Sequence, residues 1–162
     1  MDHVAIMDSK RKLLPKILTG EKKIESRWYV SRFAPWDRIS AGDTIYFKDS
    51  GKPVTVKAKV SKVLQFDELN EEKTRHIVRN YGKDIALSSS ESEKVEWARN
   101  KNYCILIFLE NPQKVEPFKI NKTGFGNVCA WMVVEDIGEA LRSRTPPNHY
   151  TLQAKNGTCG TV

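Results

Sequence analysis

The sequence predicts a single α+β domain in which strands flank a helical insertion at about residues 67–101. Ile24, Ser26 and Trp28 alternate with Lys23, Glu25 and Arg27, and Val54, Val56, Ala58 and Val60 alternate with Thr55, Lys57, Lys59 and Ser61, the period of two that marks strands. Between these strands and a later one, Ile77, Val78 and Tyr81 fall on one side of a helix, and Ser90 with Glu93 has the spacing of a capping box. Tyr103 to Leu109 is an unbroken apolar run of strand length, as expected of a central strand buried on both faces. A chain of 162 residues suits one core. Residues 1–145 form that domain, and 146–162, opened by Pro146-Pro147, is a polar tail or one late strand.

In chain order, His3 to Met7 is the first strand. Leu13, Leu14, Ile17 and Leu18 make one buried helical stripe; Pro15 fits only near the first turn, and Gly20 ends the helix. A strand follows over Ile24 to Tyr29, with Ile24 and Trp28 inward and Glu25, Arg27 and Tyr29 outward. Ser31 to Ile39 is irregular, Ala41-Gly42-Asp43 turns into a strand over Thr44 to Lys48, and Asp49-Ser50-Gly51 turns into the Val-rich strand. The first inserted helix spans Asp67 to Tyr81 with Gly82 past its end, and the second runs from Ser90 to about Asn100. Asn111-Pro112 turns the chain, Lys114 to Ile120 is an edge strand because Pro117 lacks an N–H, and Asn121 to Asn127 is a glycine-containing loop. Ala130 to Val134 is a strand and Asp136 to Leu141 a short helix.

Composition narrows the function. No apolar run approaches the roughly 20 residues of a membrane span, so no membrane partner is expected. The basic charges at the N-terminus follow its apolar run, unlike a secretory signal, and three widely spaced cysteines point to a reducing, intracellular setting, cytoplasmic with a nuclear location left open. No His or Cys pair has zinc-motif spacing, and neither a P-loop nor a dinucleotide fingerprint is present, so no metal or cofactor is expected. The net charge is +7, and its distribution is uneven: residues 1–63 hold 14 Lys and Arg against 7 Asp and Glu, whereas residues 64–162 hold 13 of each. Cations confined to one part of a fold suit a polyanion, because they replace counterions condensed on phosphates. Trp28, Tyr29, Phe33, Trp36 and Tyr46 are interleaved with Lys22, Lys23, Arg27, Arg32, Arg38 and Lys48, a combination able to stack unpaired bases while tracking a backbone.

Gly20, Lys22, Glu25 and Arg27 spell G-x-K-x-x-E-x-R, which resembles the signature of the ASCH domain family. That resemblance implies a PUA-like mixed β-barrel with flanking helices and a cleft suited to RNA or a nucleotide. Within it, Gly20 would make the turn, Lys22 and Arg27 would meet phosphate or a base edge, and Glu25 would orient one of them. Strict alternation puts Lys22 opposite Glu25 and Arg27, so it must lie in the turn or before a bulge. The expected partner is RNA or another single-stranded or modified nucleic acid, or a nucleoside or nucleotide. The interface residues would be Lys10, Arg11, Lys12, Lys22, Glu25, Arg27, Tyr29 and Lys48. The alternative is a small hydrolase of a modified nucleoside or of RNA with Lys22 and Glu25 as an acid-base pair, although nucleoside amidohydrolases of this kind carry threonine where this chain has Glu25. A protein-interaction module built on the helical insertion is the third reading, and whether the protein is an enzyme is left open.

Overall fold

A computed structural model describes residues 1–138 and the backbone of Cys159–Thr161. The strands are β1 (Asp2–Met7), β2 (Ile24–Tyr29), β3 (Thr44–Asp49), β4 (Val54–Phe66), β5 (Tyr103–Phe118), β6 (Cys129–Val134) and β7 (Cys159–Thr161). They form one mixed sheet in the order β2-β5-β4-β3-β1-β6-β7, with β1 and β3 parallel and the other neighbours antiparallel. The sheet is curled, because the side chain of Arg27 on the outermost strand β2 reaches carbonyls of Ile6 on β1 and Ala130 on β6. Helix α1 (Leu13–Leu18) follows a 3-10 turn at Ser9–Arg11, and α2 (Glu71–Ile85) and α3 (Glu91–Trp97) form the insertion between β4 and β5.

Two apolar clusters lie on opposite faces of β2 and β5. Tyr29, Ile105 and Ile107 join Ile17, Phe47, Val56 and Trp131 inside the curl. Ile24, Trp28, Cys104 and Leu106 instead pack with Ile77, Ile85 and Ala98 under α2 and α3. This explains the unbroken apolar run in β5, since every side chain from Cys104 to Ile107 is buried on one face or the other. It also corrects the expected orientation of β2. Glu25, Arg27 and Tyr29 point into the curl rather than to solvent, and the inserted helices cover the face carrying Ile24 and Trp28.

Local punctuation misled in three further places. Helix α2 starts at Glu71, capped by Asn70, and runs through Gly82 to Ile85, where Ala86 takes the left-handed conformation that ends it. Asn111-Pro112 does not turn the chain but lies within the long strand β5, which pairs β4 with several register shifts. Cys104 is a free buried thiol, whereas Cys129 is disulfide-bonded, so the odd count did not mean three reduced cysteines. The capping box is present as expected: the Ser90 hydroxyl accepts from Glu93 N, and the Glu93 carboxylate accepts from Ser90 N. The helix expected over Asp136 to Leu141 begins at Ile137, and the rest of it lies outside the described residues, as does most of 146–162 apart from β7. Among the described residues, no helix is long and apolar enough to cross a membrane.

Candidate functional site

Gly20, with φ of 77°, turns the chain out of α1, and regular pairing of β2 begins only at Ile24. Lys22 therefore sits in the turn, free of strand parity, and its Nζ lies 3.2 Å from Glu25 Oε2. On the other side of the same carboxylate, Arg27 Nε lies 2.9 Å from Oε1. The three residues are 3%, 4% and 8% exposed, so this is a buried cluster of two cations and one anion. Burial pushes the Glu25 carboxyl upward, but Lys22 and Arg27 together outweigh it and hold the group below its ordinary value. Burial lowers the Lys22 ammonium, with Glu25 offsetting part of the effect.

Lys22 and Arg27 tie together different parts of the fold. Lys22 Nζ donates to the carbonyls of Ile24 and Ile85, 2.8 Å each, which together with Glu25 occupies its three donors and fastens β2 to the end of α2. The β1–β6 ladder stops at Ala5 opposite Trp131, so Ile6 and Ala130 would be the next pair in register. Arg27 takes both of their carbonyls, at 3.4 and 3.3 Å, and seats its guanidinium 5.1 Å from the Trp131 ring centroid. Trp131 Nε1 donates to His3 Nδ1 over 3.1 Å. An indole N–H only donates, so His3 carries its proton on Nε2 and donates it to Asp43 Oδ2, also at 3.1 Å. Burial lowers the His3 pKa despite Asp43, in keeping with a neutral ring. The floor beneath Arg27 is thus fixed by hydrogen bonds back to the first strand. Arg27 Nε itself is buried without a well-aligned hydrogen-bond acceptor, although Glu25 is within ion-pair distance.

The other expected site residues fall into three groups. Lys10, Arg11 and Lys12 are exposed around the 3-10 turn before α1, and the charge of Arg11 acts on Lys22, Glu25 and Lys94. Tyr29 is not a stacking platform: it is buried, its hydroxyl donates to Ala34 O at 2.8 Å, and burial raises its pKa to about 12. Lys48 is also buried, and it is not brought to the motif: besides burial, the charges acting on it are those of Lys122 and Asp49. Near the end of β2, Val30 and Phe33 are exposed, and Arg32 lies over the rings of Trp36 and Tyr103, at 5.7 and 5.3 Å from their centroids. Among the described residues, no group of three or more His, Cys, Asp or Glu side chains is arranged to hold a metal.

Sequence reasoning missed Lys94 and Trp97. They stand three apart on α3, so their adjacency was readable, but their approach to Trp28 on β2 is a tertiary contact. Lys94 Nζ lies 3.4 Å from the Trp97 ring centroid and 4.5 Å from that of Trp28, and burial lowers its pKa to about 7. The folded state therefore releases this proton near pH 7 and the unfolded chain near 10.5, so the parent protein gains stability as pH rises between those values. Lys94→Met is expected to be more stable than the parent by on the order of 2 kcal/mol at pH 6, the gain shrinking toward pH 10.5. Denaturant unfolding across that range checks it; a pH-independent difference would show that Lys94 stays charged.

The curled mixed sheet with its flanking helices is an α+β fold similar to that of ASCH proteins of known structure. The crystal structure of an ASCH protein from Zymomonas mobilis aligns over 90% of this chain and 96% of its own, with a TM-score of 0.62 and 16% identity. A tyrosine-to-phenylalanine variant of that protein aligns over 73% of this chain and 75% of its own, with a TM-score of 0.55 and 18% identity. At such identity the likeness establishes the fold. No known protein-family profile matches the chain, and neither does any curated protein.

Proposed function

We propose that the protein is an ASCH-type nucleic-acid-binding domain whose ligand is RNA or another single-stranded or modified nucleic acid, held on the basic surface beside the buried cluster of Lys22, Glu25 and Arg27. The observation that carries this reading is the charge state of the cluster: two cations share one carboxylate in the interior, and the Nε of Arg27 has no aligned acceptor. A buried excess of positive charge is costly unless an anion completes it. Beside the cluster, Lys10, Arg11 and Lys12 form an exposed cationic rim suited to phosphates. Lys22 serves here by holding Glu25 in place and not by touching the ligand, because its three donors are occupied.

The hydrolase reading is less well supported. A general acid-base pair works best with pKa values near neutrality. Glu25 is instead held below its ordinary value, and Lys22 is saturated by two carbonyls and that carboxylate. Titrating the protein with labelled single-stranded RNA, single-stranded DNA and duplexes at two salt concentrations, with each sample checked for cleavage, tests both readings. Salt-sensitive binding of intact single strands is the expected result. Cleavage by the parent but not by Glu25→Gln would establish the hydrolase instead, and the absence of both binding and cleavage would overturn the nucleic-acid reading.

A further inference from the structure

Lys94 is a buried amine with no counterion. It is 8% exposed, and its contacts are with the faces of Trp28 and Trp97; no carboxylate or carbonyl lies within bonding distance among the described residues. The charges acting on it most strongly, apart from Cys104, are those of Arg11, Lys101 and Lys22, all cationic. Burial pushes the Cys104 thiol well up, so it stays protonated and supplies no negative charge. Glu93 is close in the fold, but its carboxylate is committed to capping α3 at Ser90 N, 2.7 Å away.

The amine is not sealed in. Lys94 lines a depression of about 420 Å³ together with Ser88, Ser89, Glu93 and Trp97. Trp97 is the one large apolar residue of α3 left open, at 51% exposure, and Lys101 approaches its ring to 5.1 Å. Neither Ser88 nor Ser89 makes a side-chain hydrogen bond with another described residue. The depression therefore offers an ammonium, two hydroxyls and an exposed indole, with the Glu93 carboxylate held to Ser90 N and the charges of Arg11, Lys101 and Lys22 adding to that of Lys94. That set matches a small dianion with several acceptor oxygens better than a neutral group or a cation.

We propose that this depression binds a phosphomonoester, with the Lys94 ammonium and the Ser88 and Ser89 hydroxyls on the phosphate and the Trp97 indole against the organic part. The site belongs to the helical insertion and does not rest on strand binding at the motif. The phosphate could come from a free small molecule or from the end of a nucleic-acid strand, and the chemistry at Lys94 is the same. A bound dianion would favour the charged amine and raise its pKa from about 7.

The test uses the full chain in phosphate-free buffer, with carbon-labelled lysine side chains followed by NMR and the Lys94 signal assigned by its loss in Lys94→Met. Inorganic phosphate, adenosine monophosphate, and an RNA pentamer with either a 5′-phosphate or a 5′-hydroxyl are added in turn. At least one phosphomonoester is expected to raise the Lys94 titration midpoint, and to bind about tenfold or more tightly to the parent than to Lys94→Met, as loss of a charge-assisted hydrogen bond implies. Ser88→Ala with Ser89→Ala, which alters surface hydroxyls only, is expected to weaken the same binding several-fold, and it keeps the test open should Lys94→Met fold poorly. A response to phosphate and the mononucleotide alone assigns a small-molecule ligand; a gain confined to the 5′-phosphorylated pentamer assigns a strand end. An unmoved Lys94 signal with all four probes, or equal binding by the parent and the serine variant, overturns the proposal. Failure of strand binding at the motif is separately visible, because the 5′-hydroxyl pentamer then shows no binding while the Lys94 response to a phosphomonoester persists.

Discussion

Replacing Glu25 with alanine is expected to cost about 3–5 kcal/mol of stability, the effect of leaving buried cations without their partner. The Lys22 ammonium and the Arg27 guanidinium converge on this carboxylate, so both lose compensation at once. Glu25→Gln keeps the shape and one acceptor but not the charge, and is expected to lose less than the alanine variant. The acid limb separates charge from packing. The Glu25 contribution is fully present above the ordinary glutamate value of 4.5 and is lost as pH falls through the lower folded-state value. Urea denaturation of the parent and both variants between pH 3 and pH 7 checks this. The variants should differ most from the parent at pH 7 and least at the acid end, and a constant difference would mean that the Glu25 charge contributes little.

Changing Lys10, Arg11 and Lys12 together to alanine is expected to weaken single-strand binding by about 100-fold at 0.1 M salt and to flatten the logarithmic salt slope by about 2. Both figures follow from the release of roughly 0.7 counterion per phosphate contact on a single strand. The three side chains are exposed and make no ion pair among the described residues, so the fold should persist. The salt slope decides whether they touch phosphate. Weaker binding with an unchanged slope would assign them an indirect role through Arg11, whose charge reaches Lys22 and Glu25.

The fold was legible where sequence pattern and local geometry agree. The alternation of Val54 to Val60, the apolar run of β5 and the Ser90–Glu93 box each report a short-range constraint, and all three are present. The orientation of β2 was not legible, because charged residues alternating with apolar ones read as a strand with one wet face. Only the insertion some fifty residues later covers the Trp28 face and turns Glu25 and Arg27 inward. The same long-range packing moved Tyr29 from a candidate surface to the core. It also brought Lys94 to Trp28, a pairing invisible in either segment alone. Within the motif, the spacing did anticipate that Lys22 must leave strand parity to reach Glu25, and the turn after Gly20 is how it does so.

The most direct measurement of the proposed role is the nitrogen-proton resonance of Arg27 Nε, followed by NMR while single-stranded RNA is added to the full chain. This donor is buried and lacks an aligned acceptor, and it lies in the cluster that the nucleic acid is expected to complete. Binding beside the cluster predicts a shift of that resonance and slower exchange of its proton, in step with the binding isotherm and absent in the Lys10, Arg11 and Lys12 variant at the same RNA concentration. An isotherm that saturates while the Arg27 Nε resonance stays in place would put the nucleic acid elsewhere on the molecule and leave Lys22, Glu25 and Arg27 as a clasp that only holds the curled sheet together.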